Sequence, residues 1–380
     1  MKRSLNFIFA AAFAYQMIIG VVGIAVPIYA DMMGASLFIV GLIGSAGGLI
    51  YSFMPFISGV LCERIGRKRF ISASLFSYGS SCLLYSLVNK PLMLIPIKFL
   101  EWISVAAFWP SIESIIADSA PGRLEDALKK FNMSWGLAMI IGPLLGGALI
   151  SKFSIISPFI LSMFIAFSFG SLSILMIKEP DGKLDANEPS YENLENGGDE
   201  RLIATALASI FLFSSTTGIL VSLFPSYATN LGISAFEIGV VSFAFGAMRA
   251  AAFYQANRIE RYVRKAGMFL LGSLTIGVAS LATFYNHNTS SFLMCFLIFG
   301  FGAGISYAAS IASLLRWHRL SRGHAAGVFE SFIGAGYFLG PLIGGFLSNF
   351  AANAPYIYIS LLSFTVLLVQ LTLKRKFSHG

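Results

Sequence analysis

The sequence predicts an all-α membrane protein, with twelve transmembrane helices arranged as two pseudo-symmetric six-helix bundles. Three observations carry that prediction: a shortage of charge, twelve apolar runs, and a second half that copies the first. The 380 residues are 56% apolar and 12% charged, with 37 glycines, whereas an average soluble protein carries about 25% charged residues. The 26 basic and 18 acidic residues cannot clothe the two or three cores that a soluble chain of this length would form. A mean hydropathy of +0.77 agrees. Disorder, coiled coil, collagen and a secreted disulfide scaffold are excluded together. The three cysteines, Cys62, Cys82 and Cys295, have no CxxC spacing and there is no His cluster, so no metal, cofactor or redox site is expected.

A helical span needs about 20 mostly apolar residues. The first six runs lie near 6–30, 37–61, 70–88, 92–117, 127–150 and 156–177. The second six lie near 202–228, 236–257, 267–285, 291–315, 325–349 and 355–373. The opening MKRSLNFIFAAAFA has the layout of a signal peptide, but its apolar run continues to Ala30 and eleven more follow, so it is read as an uncleaved first helix. Between the two sets, Glu179 to Glu200 holds eight acids among Asn, Gly and Pro, too polar to order itself. The expected domains are therefore an N-terminal bundle, 1–178, an acidic cytoplasmic linker, 179–201, and a C-terminal bundle, 202–380. With both termini placed in the cytoplasm, 22 of the 26 Lys and Arg residues fall in cytoplasmic segments, as the positive-inside rule requires. The net charge of +8 thus reads as a topology signal. Nucleic acid is not an expected partner, because the basic residues are spread over seven short segments.

The two halves are copies. Pro27 and Tyr29 recur 198 residues later as Pro225 and Tyr227, and the same offset pairs Gly34 with Gly232, Ser36 with Ser234, Gly41 with Gly239 and Gly48 with Gly246. GPLLGG at 142–147 returns as GPLIGG at 340–345, again 198 residues on. Each half has an even number of spans, so equivalent helices start on the same side and the repeat is parallel. Such duplicated bundles place a binding site between the halves near the midplane and transport by rocking about it.

Over nearly its whole length the chain resembles the major facilitator superfamily. The segment after span 2 reads Gly59-Val-Leu-Cys-Glu63-Arg64-Ile-Gly66-Arg67-Lys68-Arg69, similar to that family's signature there, with Glu63 where Asp is usual. After span 8 the worn copy Glu260-Arg261-Tyr262-Val263-Arg264-Lys265 lacks the glycine. Gly66 permits a tight turn, and Arg64 and Arg67 can bond helix-end carbonyls and a carboxylate. The resemblance implies a conformational latch of Gly59, Glu63, Arg64, Gly66 and Arg67 with an acid at the cytoplasmic end of span 4, Asp118 first and Glu113 second. Gly142, Pro143, Gly146 and Gly147 of span 5 resemble the family's antiporter motif, with Ala138 in place of its first glycine. Span 11 has the full form, including Gly340, Pro341, Gly344 and Gly345. Small residues allow close helix approach and proline bends a helix, so both elements read as packing hinges.

Charges at bilayer depth cost several kcal/mol unless paired or wetted. Span 4 carries Lys98, Glu101, Trp102 and Trp109. Lys98 and Glu101 are three apart and can pair, and Lys98, Trp102 and Trp109 fall within about 40° of one another on the helical wheel. Glu101 is expected to carry a proton with Lys98 tuning it, or else the two form a static ion pair. Arg249 and Glu330 are isolated charges in the second half, and Glu330 is a further candidate for proton coupling. The resemblance implies a cavity lined by spans 1, 4, 7 and 10, which makes Gln16, Trp102, Trp109, Ser214, Thr217 and Tyr307 the expected substrate-facing residues, with Arg249 from span 8. Tyr307 is the repeat partner of Trp109 and Ser214 that of Gln16.

These features point to a monomeric secondary transporter of the cell membrane. It is expected to export an amphipathic small molecule against protons by alternating access. Proton-coupled uptake, an uncoupled facilitator and a receptor of the same fold are the alternatives. An enzyme would need a catalytic constellation, and none of the four histidines lies at mid-bilayer depth. Gly300-Phe-Gly302-Ala-Gly304 sits inside span 10 with no strand before it, so it reads as helix packing rather than a nucleotide loop.

Overall fold

The apolar runs all form helices. A computed structural model describes residues 2–119, 124–177, 200–315 and 322–375, with side chains not described at 2–3, 63, 117–118, 124–125, 200, 315, 322–326 and 374–375. In the first half, α1 (Lys2–Met32) is one crossing, and α2 (Leu37–Tyr51) with α3 (Met54–Ile65) forms a second, bent one. Then follow α4 (Arg67–Leu87), α5 (Leu94–Ser119), α6 (Leu124–Lys152) and α7 (Ser157–Met176). In the second half, α8 (Glu200–Ser222) continues as α9 (Phe224–Asn230), followed by α10 (Ala235–Tyr254), α11 (Ala256–Tyr285), α12 (Thr289–Leu315), α13 (Arg322–Leu347) and α14 (Ala354–Arg375). Eleven helices are long and apolar enough to cross a bilayer, and the bent α2–α3 pair makes twelve. Most of the linker, 178–199, lies outside the described residues.

Two of the predicted spans are broken, each for a local reason. The 42° bend between α2 and α3 falls at Ser52 and Phe53, just before Pro55, which has no N–H to continue the ladder. The α8–α9 break precedes Pro225, which has no N–H to continue the ladder. Its repeat partner Pro27 is tolerated within an unbroken α1.

The repeat is visible in the backbone. Gly34 and Gly232 both have φ of +79°. Each follows a helix end closed by a Schellman-like pair of bonds, Ala35 N to Ala30 O at 3.0 Å and Ile233 N to Ala228 O at 3.1 Å. Ser36 and Ser234 then cap α2 and α10 by accepting from Ile39 N and Glu237 N. These turns mark one face of the bundle, the turn face. The opposite, terminal face carries both ends of the described chain.

Within each half the GPxxGG helix crosses the first helix of that half at van der Waals contact. A Cβ on Gly20 would sit 2.9 Å from Pro143 Cδ, and one on its repeat partner Gly218 would sit 3.0 Å from Pro341 Cδ. Aromatic residues fill the rest of each half. Tyr15 stacks on Phe108 with ring centroids 3.9 Å apart and meets Tyr78 edge-on. Large apolar side chains on α7 and α14, among them Phe164, Leu175, Leu361 and Leu368, are exposed, the outward face expected where lipid is the solvent.

On the terminal face, Gly66 turns the chain between α3 and α4 with φ of +103°, and Arg264 sits 198 residues later with φ of +59°. The worn copy of the motif has lost its glycine and kept the backbone conformation. With ψ of 168°, Arg264 occupies a region that costs a non-glycine residue about 1–3 kcal/mol. Arg264→Gly is therefore expected to raise stability by about 1 kcal/mol after the glycine entropy cost is deducted, and Gly66→Ala to lower it by about 1–2 kcal/mol. Thermal unfolding of the detergent-solubilised variants checks both signs.

Candidate functional site

The halves meet along two crossings, α2 with α13 and α10 with α6, and the sequence makes these crossings glycine-lined near the turn face. A Cβ on Gly41 would lie 2.5 Å from Pro341 O and 2.9 Å from Gly345 Cα, and one on Gly239 would lie 2.9 Å from Pro143 O and 3.3 Å from Gly147 Cα. The two crossings are repeat images of each other. The same face is tied by polar bonds between the halves: Ser226 Oγ and Asn230 Nδ2 donate to Asp31 Oδ1 at 3.0 and 2.9 Å, and Phe236 N donates to Ser151 Oγ at 2.9 Å.

Toward the terminal face the same stripes come apart. On α6, Leu137 and Met133 continue the line of Leu144 and Ile140 yet are 52% and 67% exposed. Gly136 on α6 and Gly327 on α13 have no described atom within 4 Å of where a Cβ would be. The halves are thus packed together at the turn face and part toward the terminal face, and the space between them is the cavity, where a parallel duplicated bundle holds its site.

Two aromatic clusters related by the repeat flank this cavity. Trp109 on α5 lies 6.1 Å, between ring centroids, from both Tyr15 and Phe131. Its partner Tyr307 on α12 lies 5.4 Å from Phe213 and 5.3 Å from Phe329, and all three residues stand 198 positions after the first three. The scaffold of the cavity is therefore symmetric.

Its charges are not. Glu330 on α13 lies within electrostatic reach of Tyr51 on α2 and of Glu113 on α5. These two carboxylates come from opposite halves, and Glu113 is exposed in the opening. Arg249 on α10 points elsewhere, with its guanidinium 5.9 Å from the Phe213 ring centroid and 5.5 Å from that of Phe245, and it contacts Met139 Sδ. No carboxylate lies within 4.0 Å of it among the described residues. Tyr307 and Tyr337 lie within electrostatic reach of both Arg249 and Glu330.

The structure distributes the remaining expected residues as follows. Trp102 lies at the α2–α13 crossing, 5.5 Å from the Tyr51 ring and 6.1 Å from that of Tyr337, and its indole N–H has no hydrogen-bond partner among the described residues. Gln16 is half-buried on α1. Ser214 and Thr217 are buried: Ser214 donates to Ile210 O of its own helix and lies 3.3 Å from Phe332 O of α13, beside Gly336, and Thr217 donates to Phe213 O. Of the expected latch, the side chains of Glu63 and Asp118 lie outside the described residues, while Gly59, Arg64, Gly66 and Arg67 lie at the terminal-face turn. Of the hinge residues, Gly142 and Gly146 contact α1, Gly340 and Gly344 contact α8, and Gly147 and Gly345 cross to the other half.

Lys98 and Glu101 are not in the cavity. Lys98 Nζ stands 3.1 and 3.0 Å from the two Glu101 oxygens, and Tyr85 of α4 donates to Oε2 at 2.7 Å. Glu101 is 2% exposed, and all its partners belong to the first half. The pair has the geometry of a brace between α4 and α5. Sequence reasoning placed Tyr51 and Tyr337 in no role. Their signal was the repeat itself, since the partner of Tyr51 is Arg249 and the partner of Tyr337 is Met139.

Removing one member of a buried ion pair leaves an uncompensated charge and costs about 3–5 kcal/mol, whereas replacing both is often close to neutral. Glu101→Gln and Lys98→Met are each expected to destabilise by about 3 kcal/mol, and the double substitution by much less. A double-mutant cycle in denaturant unfolding measures this, and additive losses would remove the brace reading.

The profile of the Major Facilitator Superfamily matches residues 8–204 and again 205–378. An uncharacterized MFS-type transporter, MJ1560 of Methanocaldococcus jannaschii, is 24% identical over 362 residues, covering 92% of each chain. Multidrug resistance protein 1 of Bacillus subtilis is 26% identical over 317 residues, covering 80% of this chain and 78% of that protein. Among solved structures, that of the nucleoside transporter NupG superposes with a TM-score of 0.77 at 12% identity, covering 98% and 99% of the two chains, and shows the shared fold. The duplicated bundle, the glycine crossings between its halves and a family match that itself falls into two halves agree, and the chain belongs to the Major Facilitator Superfamily.

Proposed function

We propose that this transporter, working by alternating access, exports an amphipathic organic molecule in exchange for protons. The observation that carries the coupling is that Glu113 and Glu330, one carboxylate from each half, lie within electrostatic reach of each other. Like charges in a low dielectric disfavour simultaneous ionisation, so the pair favours holding one proton while the halves bring it together. Rocking the halves changes that proximity, and with it proton affinity. One proton moving down ~100 mV contributes about 2.3 kcal/mol per cycle. The Lys98–Glu101 pair, enclosed and fully partnered, is assigned a structural role, and Glu330 is the primary carrier.

Orientation follows from the positive-inside distribution, which sets both termini in the cytoplasm of a cell-membrane protein. The open terminal face is then the cytoplasmic one, where an export substrate enters. Export is also supported by similarity to the Bacillus protein named for multidrug resistance and by the GPxxGG elements. The aromatic walls around Trp109 and Tyr307 suit an apolar body.

The test is transport in proteoliposomes of known orientation under an imposed pH gradient, with a panel of dyes and metabolites. Glu330→Gln is expected to lower gradient-driven flux at least tenfold at saturating substrate, while exchange at equal pH and saturating substrate persists with a raised half-saturation concentration. The assignment fails if Glu330→Gln keeps gradient-driven flux and a folded Glu101→Gln loses it. Uptake that moves no protons would reject coupling altogether.

A further inference from the structure

The repeat that makes the cavity symmetric also shows where its symmetry is broken. Tyr51 and Arg249 are partners at the 198-residue offset, as are Tyr337 and Met139, Glu330 and Asn132, and Glu113 and Ile311. On one side of the pseudo-twofold axis, Tyr51, Glu113, Glu330 and Tyr337 gather. At the equivalent place on the other side, Arg249 meets Met139, and Asn132 and Ile311 stand where the two acids stand in the first set. One fold position thus holds two carboxylates and its image holds a guanidinium.

These opposite charges do not neutralise each other. Glu330 lies near Tyr51 and Glu113, Arg249 stands over the rings of Phe213 and Phe245, and no ion pair joins the two among the described residues. A guanidinium at this depth without a carboxylate is costly, and contact with aromatic faces offsets only part of that cost. What would complete it is an anion, and a planar guanidinium suits a carboxylate held by two parallel bonds.

We infer that the cavity takes a dipolar ligand, with a carboxylate or similar anion at Arg249, a basic nitrogen at Glu113 and Glu330, and an apolar body between them. This rests on the transport reading above and names the substrate class of that site. Tyr307 and Tyr337, in reach of both charge centres, stand where the middle of such a ligand would lie.

Three fluorescent probes with one aromatic body and one chain separate the charges. Nε-dansyl-lysine carries both, dansylcadaverine only the cation, and 6-(dansylamino)hexanoic acid only the anion. Binding to the purified full-length protein is read by dansyl fluorescence, with monodispersity and melting checked for each variant. Dansyl-lysine is expected to bind at least tenfold more tightly than either single-charge probe. Arg249→Gln should erase its advantage over dansylcadaverine and leave dansylcadaverine affinity unchanged, and Arg249→Lys should restore part of the advantage. Glu330→Gln should weaken dansyl-lysine and dansylcadaverine but not the hexanoic acid. Equal or tighter binding of dansylcadaverine in the unmodified protein, an equal effect of Arg249→Gln on all three probes, or no binding of any probe at millimolar concentration would overturn the dipolar site. Those outcomes leave proton coupling to be judged by the Glu330→Gln flux alone.

Discussion

The contact on which the remainder of this structure depends is backbone against backbone, where Gly41 meets Gly345 and Gly147 meets Gly239. In lipid no hydrophobic force drives helices together, because the tails are as apolar as the side chains, and association rests on close packing. Glycine gives the closest packing available. Both crossings lie toward the turn face and are images under the repeat, so together they form an axis about which the halves can separate at the other end. The terminal-face parts of the same helices separate, with Met133 and Leu137 exposed and no described atom within 4 Å of where a Cβ would be on Gly136 or Gly327.

The division between what repeats and what does not separates scaffold from chemistry. The turns at Gly34 and Gly232, the prolines beside Gly20 and Gly218, and the triads around Trp109 and Tyr307 recur with nearly the same geometry. The ionisable residues of the interior do not recur: each of Lys98, Glu101, Glu113, Arg249 and Glu330 has an uncharged partner at the offset. A symmetric frame can rock evenly, and function requires that it be decorated unevenly, since a proton and a substrate need different surroundings.

That division also governs how much was legible in the sequence. The twelve crossings, the parallel repeat and the glycine elements could be read directly, because each is a pattern of spacing that lipid and helix geometry enforce. The depth of Lys98 and Glu101 was legible too, but their direction was not. A rotation of 100° per residue fixes angles within one helix and says nothing about which neighbour stands opposite, and the decisive partner, Tyr85, comes from α4. The partners of Ser214 and Thr217 were illegible for the same reason, since carbonyls of the preceding turn, and for Ser214 also Phe332 O of α13, receive their hydroxyls. Tyr51 was recoverable in principle, by asking what Arg249 replaces.

Alternating access requires that the closed face be able to open, and the kinds of contact on that face fit the requirement. Packing between glycines is short-ranged and non-directional, so it is lost smoothly as the halves tilt. The directional ties are few: Asp31 with Ser226 and Asn230, and Phe236 N with Ser151. Hydrogen bonds of this kind contribute about 0.5–3 kcal/mol each, the larger values belonging to the charged acceptor, and at an exposed face water replaces them. The costly interaction of the interior, Lys98 with Glu101 and Tyr85, lies wholly within one half and need not change during the tilt. Glu113 and Glu330, by contrast, belong to opposite halves and lie within electrostatic reach of each other. The buried ion pair is thus confined to one half, whereas the spacing of the two carboxylates depends on how the halves are placed.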